Sequence, residues 1–423
     1  MPELPQEIID EIIDELRSSK STTIADLKSC SLVSRAFVPR TRGYMFRSVE
    51  LRTCRDCERF LDMCRLSSMN AVPVPPVIVA LHLTPSQRDP CRMETNAALV
   101  EILTTYLRNL RHLTIQGWSF PITPSDCIHA FTNYPFTSLA LQCVTFHAFC
   151  DVIAFIKAFP TLRHLTLLNV EVRKSFFVEL ERCFPAVSCP LRLESLSVSQ
   201  RFPSIYESLV LKSNIMTVSR VRRLALCLHS GGDRDSAQQI ISQGAETLEH
   251  LHLMFGSFSE YPSPLNYISR VSDTRHYTVD DIPDLSQYLN LPRLRQLDIT
   301  PFILEYGTTN FGQMGTWIEH LRQAGSVLEN VNLRVRLGHE TDVYDSVWSK
   351  LAAILSLTQI RALSIYAFLH EGLLASMNVD NARAKIESHF SHLHHRRVRV
   401  TVAMKGSKDM KNHMLQVFSS ATY

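Results

Sequence analysis

Apolar and polar residues follow one recurring pattern along most of this chain, apolar-x-x-apolar-x-apolar. Eleven copies occur in succession, and their fourth positions run from Leu81 to Val398, so that ten intervals cover 317 residues, about 32 each. The copies are IVALHL (78–83), LRHLTI (110–115), FTSLAL (136–141), LRHLTL (162–167), LESLSV (193–198), VRRLAL (221–226), LEHLHL (248–253), LRQLDI (294–299), LENVNL (328–333), IRALSI (360–365) and HRRVRV (395–400). Such a series predicts one structural unit used many times.

Each copy is predicted to form a short β-strand. Side chains alternate between the two faces of a strand, so the fourth and sixth positions share a face that a lone strand cannot bury. Parallel stacking of the copies buries that face in one core, and the chain must then cross back between strands. Apolar residues at helical spacing predict crossing helices over 93–107, 147–159, 174–184, 316–324 and 343–355. Pro135, Pro160, Pro190 and Pro292 are predicted to end crossings shortly before a strand.

The first 51 residues carry no copy of the repeat. The stretch LPQEIIDEIIDEL (4–16) predicts a helix that is apolar over half its circumference, whereas docking on its own domain needs a stripe only about 100° wide. Thr23 and Asp26 have the spacing of a capping box, which predicts a second helix through LKSCSLVSRAF (27–37), and a third helical piece is predicted to end near Phe46. Three short helices bury too little surface to cover this apolar excess, so the spare face is predicted to be an interface.

This amino-terminal segment resembles the F-box family. The residues that carry the resemblance are Leu4-Pro5-Gln6-Glu7, the aliphatic helix over 8–16, the stretch SLVSRAF (31–37), and Met45-Phe46 followed by Leu51. Phe46 stands where that family commonly has Trp, and the 17–23 connection is longer than usual. The repeats that follow resemble leucine-rich repeats, although most copies lack the Asn or Cys that this family places after the third apolar position.

The two resemblances together imply an α/β chain: a three-helix F-box followed by a curved leucine-rich-repeat solenoid, with parallel strands on the concave face and helices on the convex face. The expected divisions are an F-box-like domain over 1–51, a helical connector over 52–71, a solenoid of about eleven repeats over 72–402, and a tail over 403–423. The longest interval, from Leu251 to Leu297, contains an insertion at 257–292 that is either a binding loop or a degenerate repeat.

The F-box resemblance implies a role in ubiquitin ligation. Members of that family dock on a Skp-type adaptor, which joins them to a cullin–RING ligase, while the carboxy-terminal repeats bind a protein substrate. We therefore expect the substrate-recognition subunit of an SCF-type E3 ubiquitin ligase that is itself not an enzyme. Carried over by position, the adaptor-binding candidates are Leu4, Pro5, Ile8, Leu32, Val33 and Phe37. Some of these side chains must instead hold the three helices together.

A protein substrate is expected to meet the side chains at the third, fifth and seventh positions of each copy, which point away from the leucine core. This face is polar, contains several histidines and is nearly uncharged through its middle, whereas a nucleic-acid surface needs a stripe of lysine or arginine. The candidate substrate-binding residues are His112, His164, His250, His252, Asn330, Asn332 and Tyr366.

Composition and charge narrow the class of protein further. The chain is 45% hydrophobic and 20% charged with a formal net charge of +3, which favours a folded protein with no general attraction to nucleic acid or to an anionic membrane. The apolar run at 72–83 is too short and too rich in proline to span a bilayer. Eleven scattered cysteines and a start without signal-peptide features predict a reduced setting, cytoplasmic, nuclear or both.

Motifs of catalysis and cofactor binding are missing from the sequence. The single C-x-x-C motif, CRDC (54–57), has no second pair at a spacing that suits zinc, so neither a metal nor a cofactor is expected.

Two alternative functions remain open. The chain could be a repeat scaffold that binds partners without degrading them, or an enzyme whose site lies in the insertion. The acids and histidine there have no recognisable spacing: Glu260, Asp273, His276, Asp280 and Asp281.

Overall fold

A computed structural model gives the fold of the chain. It describes residues 4–18, 24–68, 77–85, 96–120, 126–173, 190–199, 216–228, 231–255, 291–300, 328–337, 346–356, 360–369 and 377–406. The predicted helices over 174–184 and 316–324 and the insertion at 257–292 lie outside these residues, apart from the last two positions of the insertion. The fold is mixed α/β, and its main feature is a long parallel sheet of twelve strands.

Eleven α-helices occur in the described parts of the chain. They are α1 (Gln6–Ser18), α2 (Ile24–Val33), α3 (Val38–Met45), α4 (Cys54–Ser68), α5 (Ala97–Glu101), α6 (Asp126–Thr132), α7 (Phe149–Lys157), α8 (Gly231–Gly244), α9 (Ser346–Leu355), α10 (Val379–His389) and α11 (Ser391–His395). A 3₁₀ turn, Arg35–Phe37, links α2 to α3, and a π-helical turn, Ile102–Tyr106, follows α5. None of the described helices combines the length and apolar character needed to cross a bilayer.

The strands fall into one large and two small sheets. The twelve strands of the large sheet are β1 (Ser48–Leu51), β2 (Ala80–Leu83), β3 (His112–Gln116), β4 (Ser138–Gln142), β6 (His164–Leu168), β9 (Ser195–Ser199), β11 (Arg223–Leu228), β12 (His250–Phe255), β13 (Gln296–Thr300), β14 (Asn330–Leu337), β15 (Ala362–Leu369) and β16 (Arg399–Gly406). The small pairs are β5 (Thr145–Phe146) with β7 (Glu171–Val172), and β8 (Leu191–Arg192) with β10 (Met216–Thr217).

The first compact unit comprises residues 1–162 with 170–179. Its strands β1 to β4 pair in parallel, and the register sets Val49 beside Leu81, Leu81 beside Leu113, and Leu113 beside Leu139. The leucines at the fourth positions of β2 to β4 are almost completely buried, as the repeat pattern predicts. Equivalent positions therefore align across these strands, which is what a repeated unit requires.

Left-handed residues end two strands of this unit. Gly117 after β3 has a φ of +69°, and Cys143 after β4 has a φ of +52°. Each of these residues turns the chain out of its strand into a short following segment. In these two segments, Phe120 stacks on Phe146 with ring centroids 4.4 Å apart. Leucine-rich repeats commonly carry Asn or Cys near this point, and here the backbone of Cys143 makes the turn.

The second compact unit comprises residues 163–169 with 180–423. Its eight strands of the large sheet repeat the same register, with Leu165 beside Leu196, Leu224 beside Leu251, and Leu297 beside Val331. Helix α8 packs against β11, and α9 and α10 contact each other. The fourth and sixth positions of β6 to β15 in this unit are buried.

Two boundaries differ from the sequence prediction. The sheet begins within residues 1–51, because β1 already pairs with β2. The last copy is shifted by two residues, since Leu363 lies beside Val400 rather than Val398, and β16 extends to Gly406, inside the predicted tail over 403–423. The pattern fails there because alternating Val398, Val400 and Val402 fit either register equally well.

Candidate interaction surfaces

Helix α1 divides its apolar residues between the inside and the outside of the first unit. Ile9 and Ile13 are buried, whereas Ile8, Ile12 and Leu16 are exposed and, being spaced four residues apart, form one ridge on the helix surface. Leu4, four residues before Ile8 and just ahead of the helix, is exposed as well. We refer to these four exposed residues as the apolar ridge. At the end of α2, the side chains of Leu32 and Val33 are 81% and 75% exposed. The apolar excess predicted from the sequence is therefore uncovered.

A polar cluster holds α1 against α3. The guanidinium of Arg40 donates to both carboxylate oxygens of Asp14 at 2.6 and 2.5 Å, and the Tyr44 hydroxyl donates to the same carboxylate at 2.8 Å. Arg40 also lies over the Tyr44 ring, 5.4 Å from its centroid. Hydrogen bonds from Arg40 and Tyr44 lower the pKa of Asp14 below its usual value. These contacts fix the orientation in which α1 presents the ridge.

A second contact brings the start of α1 close to the end of α2. The Gln6 side-chain amide donates to the Ala36 carbonyl at 3.0 Å. Leu4 and Ile8 flank Gln6, and Val33 lies three residues before Ala36. Along the chain, all six predicted adaptor-binding residues lie within four positions of Gln6 or Ala36. Leu4, Pro5, Ile8, Leu32 and Val33 are exposed, and Phe37 is half-buried.

The second unit presents another candidate surface on the sheet face opposite the leucine core. The register aligns its side chains in three rungs that run across the strands. The first rung is His164, Ser195, Arg223, His250, Gln296, Asn330, Ala362 and Arg399. The second rung is Thr166, Ser197, Ala225, His252, Asp298, Asn332, Ser364 and Thr401. The third rung is Leu168, Ser199, Cys227, Met254, Thr300, Arg334, Tyr366 and Ala403.

The interior of this face is buried, and this corrects the prediction that all three rungs face solvent. From Thr166 to Asp298 the second rung is buried, and so is the third rung from Leu168 to Arg334. The first rung is more accessible, since Arg223 and Arg399 are exposed and most of the others are half-buried. Strand alternation predicts which face a side chain lies on, but whether that face is covered depends on segments distant in the sequence.

Asp298 is the centre of a buried polar cluster on this face. Its Oδ2 accepts hydrogen bonds from Nε2 of His250 at 2.5 Å and from the Gln296 amide at 3.2 Å. Its Oδ1 accepts one from the Asn332 amide. Nη1 of Arg334 lies 4.0 Å from Oδ1, within ion-pair distance and beyond hydrogen-bond distance. Three donors therefore already occupy the carboxylate before Arg334 is counted.

Burial and charge together set the protonation of this cluster. Burial by itself raises the pKa of Asp298, but the His250 hydrogen bond and the nearby positive charge of Arg334 outweigh it and hold the pKa well below the usual range. Burial lowers the pKa of His252 to about 3, so its imidazole is neutral at physiological pH. Burial also lowers the pKa of Arg334, and the neighbouring Asp298 opposes that change.

The predicted substrate-binding residues are distributed unevenly over these surfaces. His164, His250 and Asn330 lie on the accessible first rung and are half-buried, as is His112 on β3 of the first unit. His252 is buried and faces the Thr300 hydroxyl at 3.2 Å. The remaining two are half-buried and belong to the Asp298 cluster: Asn332 bonds the carboxylate, and the Tyr366 ring lies 5.5 Å from the Arg334 guanidinium.

Sequence reasoning did not select Asp298 or Arg334, although both are central to the cluster. One signal was present, because Asp298 is the only acidic residue at a fifth position of any repeat copy. A lone carboxylate in a row of serine, threonine and histidine requires a cationic partner on an adjacent strand. The register places Arg334 one strand away, which the spacing of the copies alone could have indicated.

Two further features of the described residues are the arrangement of their potential metal ligands and the state of their cysteines. Among them, no group of three or more His, Cys, Asp or Glu side chains is arranged to hold a metal ion. Of the CRDC cysteines on α4, Cys57 is a buried thiol whose burial raises its pKa to about 12, and Cys54 is disulfide-bonded. Cys30, Cys64 and Cys227 carry thiols that form no disulfide.

Comparison with known proteins adds no family assignment. No protein-family model matches the sequence, and a search of curated proteins finds no significant match.

Proposed function

We propose that this chain is the substrate-recognition subunit of an SCF-type E3 ubiquitin ligase and is not itself an enzyme. In this proposal, the amino-terminal helices bind a Skp-type adaptor that links the chain to a cullin–RING ligase, and the repeats bind a protein substrate. We also propose that the repeats form a curved solenoid. The exposed apolar surface is the single observation that carries the adaptor-binding role, because Leu4 and Ile8 of the ridge, and Leu32 and Val33 at the end of α2, match the F-box pattern and are exposed.

Exposure of large aliphatic side chains supports binding of another protein. Monomeric proteins rarely leave contiguous apolar residues uncovered, and such patches mark interaction sites. The two isoleucines at Ile9 and Ile13 already anchor α1, so the ridge is not needed to hold the helix in place. Its i, i+4 spacing suits insertion into an apolar groove of a partner.

In this mechanism the chain brings a substrate close to the ligase and carries out no chemical step itself. A receptor that holds a substrate and an adaptor at the same time raises the effective concentration of substrate lysines near the conjugating enzyme. The accessible first rung of the second unit supplies side chains suited to substrate contact, with Arg223 and Arg399 as its exposed charged members.

Adaptor binding is the decisive experiment. We expect the purified chain to bind a Skp-type adaptor and the Leu4→Asp/Ile8→Asp variant to lose that binding almost completely, because an unpaired carboxylate buried in an apolar interface is strongly unfavourable. Glu58→Ala, an exposed position on α4 outside the three amino-terminal helices, is the control and should bind normally. A wild-type chain that binds no adaptor would contradict the proposal. Adaptor binding without cullin association would instead identify a scaffold.

Substrate binding has a matched test on adjacent residues. Arg222 and Arg223 are both exposed, but only Arg223 lies on the first rung. We expect Arg223→Glu to reduce co-purification of a ubiquitinated partner several-fold and Arg222→Glu to leave it unchanged. Equal losses in both variants would show that the substrate binds elsewhere.

A further inference from the structure

A row of alternating charges crosses the strand starts of the second unit. The residue at the second position of each repeat copy, just before the strand, is alternately arginine and glutamate over seven consecutive copies. In strand order these residues are Arg163, Glu194, Arg222, Glu249, Arg295, Glu329 and Arg361. We refer to these seven residues as the charge ladder. The equivalent positions of the first unit, Val79, Arg111 and Thr137, do not alternate in charge, so the ladder is confined to the second unit.

The backbone makes the ladder residues direct neighbours. The amide of each one donates a hydrogen bond to the carbonyl of the ladder residue before it, and the six N···O distances lie between 2.7 and 2.9 Å. Adjacent strands are about 4.8 Å apart, so each charged side chain starts close to side chains of opposite sign. Side chains of the same sign start two strands apart, at about twice that distance.

The arginines and glutamates differ in exposure as well as in sign. All four arginines are exposed, whereas the three glutamates are half-buried. Both ends of the ladder form ion pairs: Nη1 of Arg163 donates to Oε1 of Glu194 at 3.1 Å, and Nη1 of Arg361 lies 3.9 Å from Oε2 of Glu329. Single exposed ion pairs contribute little to stability, so the strength of individual pairs does not account for an alternation over seven residues.

The apolar pattern of these copies does not distinguish one strand from the next. All seven copies carry leucine, isoleucine or valine at the fourth and sixth positions. A strand that pairs with the wrong copy can therefore still bury its apolar face. Misassembly of similar segments is a characteristic failure of repeat proteins, so correct order needs a signal in addition to the leucines.

The alternation supplies a signal that separates the correct neighbour from the nearest wrong one. If β11 skipped β12 and paired with β13, Arg222 would lie beside Arg295. If β9 skipped β11 and paired with β12, Glu194 would lie beside Glu249. Any two ladder residues separated by one strand have the same sign, and like charges on adjacent strands are unfavourable whereas opposite charges are favourable.

We propose that the charge ladder specifies the order of the strands in the second unit during folding, by disfavouring pairings that skip one repeat. This role does not depend on the function proposed above. It is tested on variants that leave the apolar ridge and the first rung unchanged, so its failure and the failure of adaptor binding are measured separately.

Two substitutions rearrange the ladder without changing its composition or net charge. Glu194→Arg/Arg295→Glu gives an order of three arginines, three glutamates and one arginine. Four of the six neighbouring pairs then have like charge, namely 163/194, 194/222, 249/295 and 295/329. Arg220→Glu/Glu246→Arg is the matched control, because it exchanges the same residue types at two exposed positions of the second unit outside the ladder.

The measurement is the yield of native monomer after dilution of the full chain from urea, at one protein concentration for all variants. We expect the rearranged variant to refold with a yield about threefold or more below that of the wild type, and the control to match the wild type. Salt at about 1 M shortens the Debye length to about 3 Å, so it should remove most of the deficit. A deficit that persists at this salt concentration would overturn the proposal.

A third variant separates alternation from the identity of the residue at each position. Exchange of arginine and glutamate at all seven positions restores alternation with inverted sign, and its yield should be closer to that of the wild type than to that of the rearranged variant. The proposal fails if the rearranged variant refolds as well as the wild type, if the control refolds as poorly as the rearranged variant, or if inversion gives no recovery. A rearranged variant with a lower thermal midpoint but a wild-type yield would also overturn it, since the ladder would then only stabilise the finished fold.

Discussion

Ile8 and Ile9 are consecutive residues of α1, yet the side chain of Ile8 is 43% exposed while that of Ile9 is only 5% exposed. The helix turns by about 100° per residue, so neighbours in the sequence can belong to the inner and outer halves of one apolar surface. In α1, the inner half packs against the neighbouring helices and the outer half is exposed.

This difference in burial predicts that the same substitution to alanine has different effects at the two positions. Ile9→Ala should lower the free energy of unfolding of the amino-terminal helices by about 2–5 kcal/mol, because it leaves a cavity in their core. Ile8→Ala should change it by less than about 1 kcal/mol but weaken adaptor binding. Denaturant titration followed by helix circular dichroism measures the first effect, and adaptor affinity measures the second. Similar stability losses in both variants would show that Ile8 also belongs to the core.

The sequence predicted the strands far better than it predicted what covers them. Leucines at the fourth and sixth positions are local signals, and a period-two pattern repeated many times leaves little freedom in register. The burial of Thr166, Ser197 and His252 has no local signal, since serine, threonine and histidine are equally common on an exposed strand face. Their environment is set by chain segments far away in the sequence.

The turns after β3 and β4 were not predicted from the sequence. Cys143 is a residue type common near this point of leucine-rich repeats, whereas Gly117, at the corresponding point after β3, is not. The two share a left-handed backbone rather than a side-chain property. Glycine is the residue that most readily adopts this conformation, so the position of Gly117 right after a repeat copy was the available signal.

Two glycines of the first unit should respond in opposite directions to alanine. Gly117 has a φ of +69°, which alanine adopts only with strain, although a Cβ there would meet nothing closer than Pro85 at 3.9 Å. Gly117→Ala should therefore lower the free energy of unfolding by about 1–2 kcal/mol. Gly43 is inside α3, and its Cβ would meet Val77 at an ordinary 3.7 Å, so Gly43→Ala should raise it by up to about 1 kcal/mol.

Chemical denaturation of the two glycine variants beside the wild type checks this pair. The backbone explanation requires that Gly117→Asn, which tolerates the left-handed region better than alanine, recover part of the loss. A Gly117→Ala protein as stable as the wild type would contradict the assigned backbone conformation.

Substitution of Asp298 should strongly lower the stability of the second unit. Asp298→Asn keeps the shape of the side chain but removes the negative charge beside Arg334 and turns an amide donor toward donors on His250 and Asn332. We expect a loss of about 3–5 kcal/mol in the free energy of unfolding, because breaking one side of a buried charge cluster leaves the other uncompensated. Thermal or denaturant unfolding of the full chain measures this loss.

Asp380 offers the matched control for that change. It forms an ion pair with Arg383 at 4.0 Å on the surface of α10, and its side chain is 92% exposed. Asp380→Asn should alter stability by less than about 0.5 kcal/mol, since exposed ion pairs contribute little. An Asp298→Asn protein that is no less stable than Asp380→Asn would contradict a buried, fully occupied carboxylate.

His252 should make the stability of the second unit depend on pH below neutrality. Burial lowers its pKa from an ordinary value near 6.5 to about 3, so between these values the unfolded chain binds a proton that the folded chain does not. Stability is therefore complete above pH 6.5 and falls as the pH decreases toward 3. At pH 5 the loss is about 2 kcal/mol.

The groups facing His252 do not produce the same profile. The lowered pKa of Asp298 means that its stabilising charge is present above the ordinary carboxyl range and is lost only in more acidic solution, and Arg334 stays charged throughout. We expect His252→Gln, which can still bond the Thr300 hydroxyl, to lose less stability than the wild type between pH 7.5 and pH 5. The exposed His395→Gln should follow the wild type. Parallel losses in wild type and His252→Gln would mean that this imidazole is protonated in the folded protein and lies outside the buried part of the face.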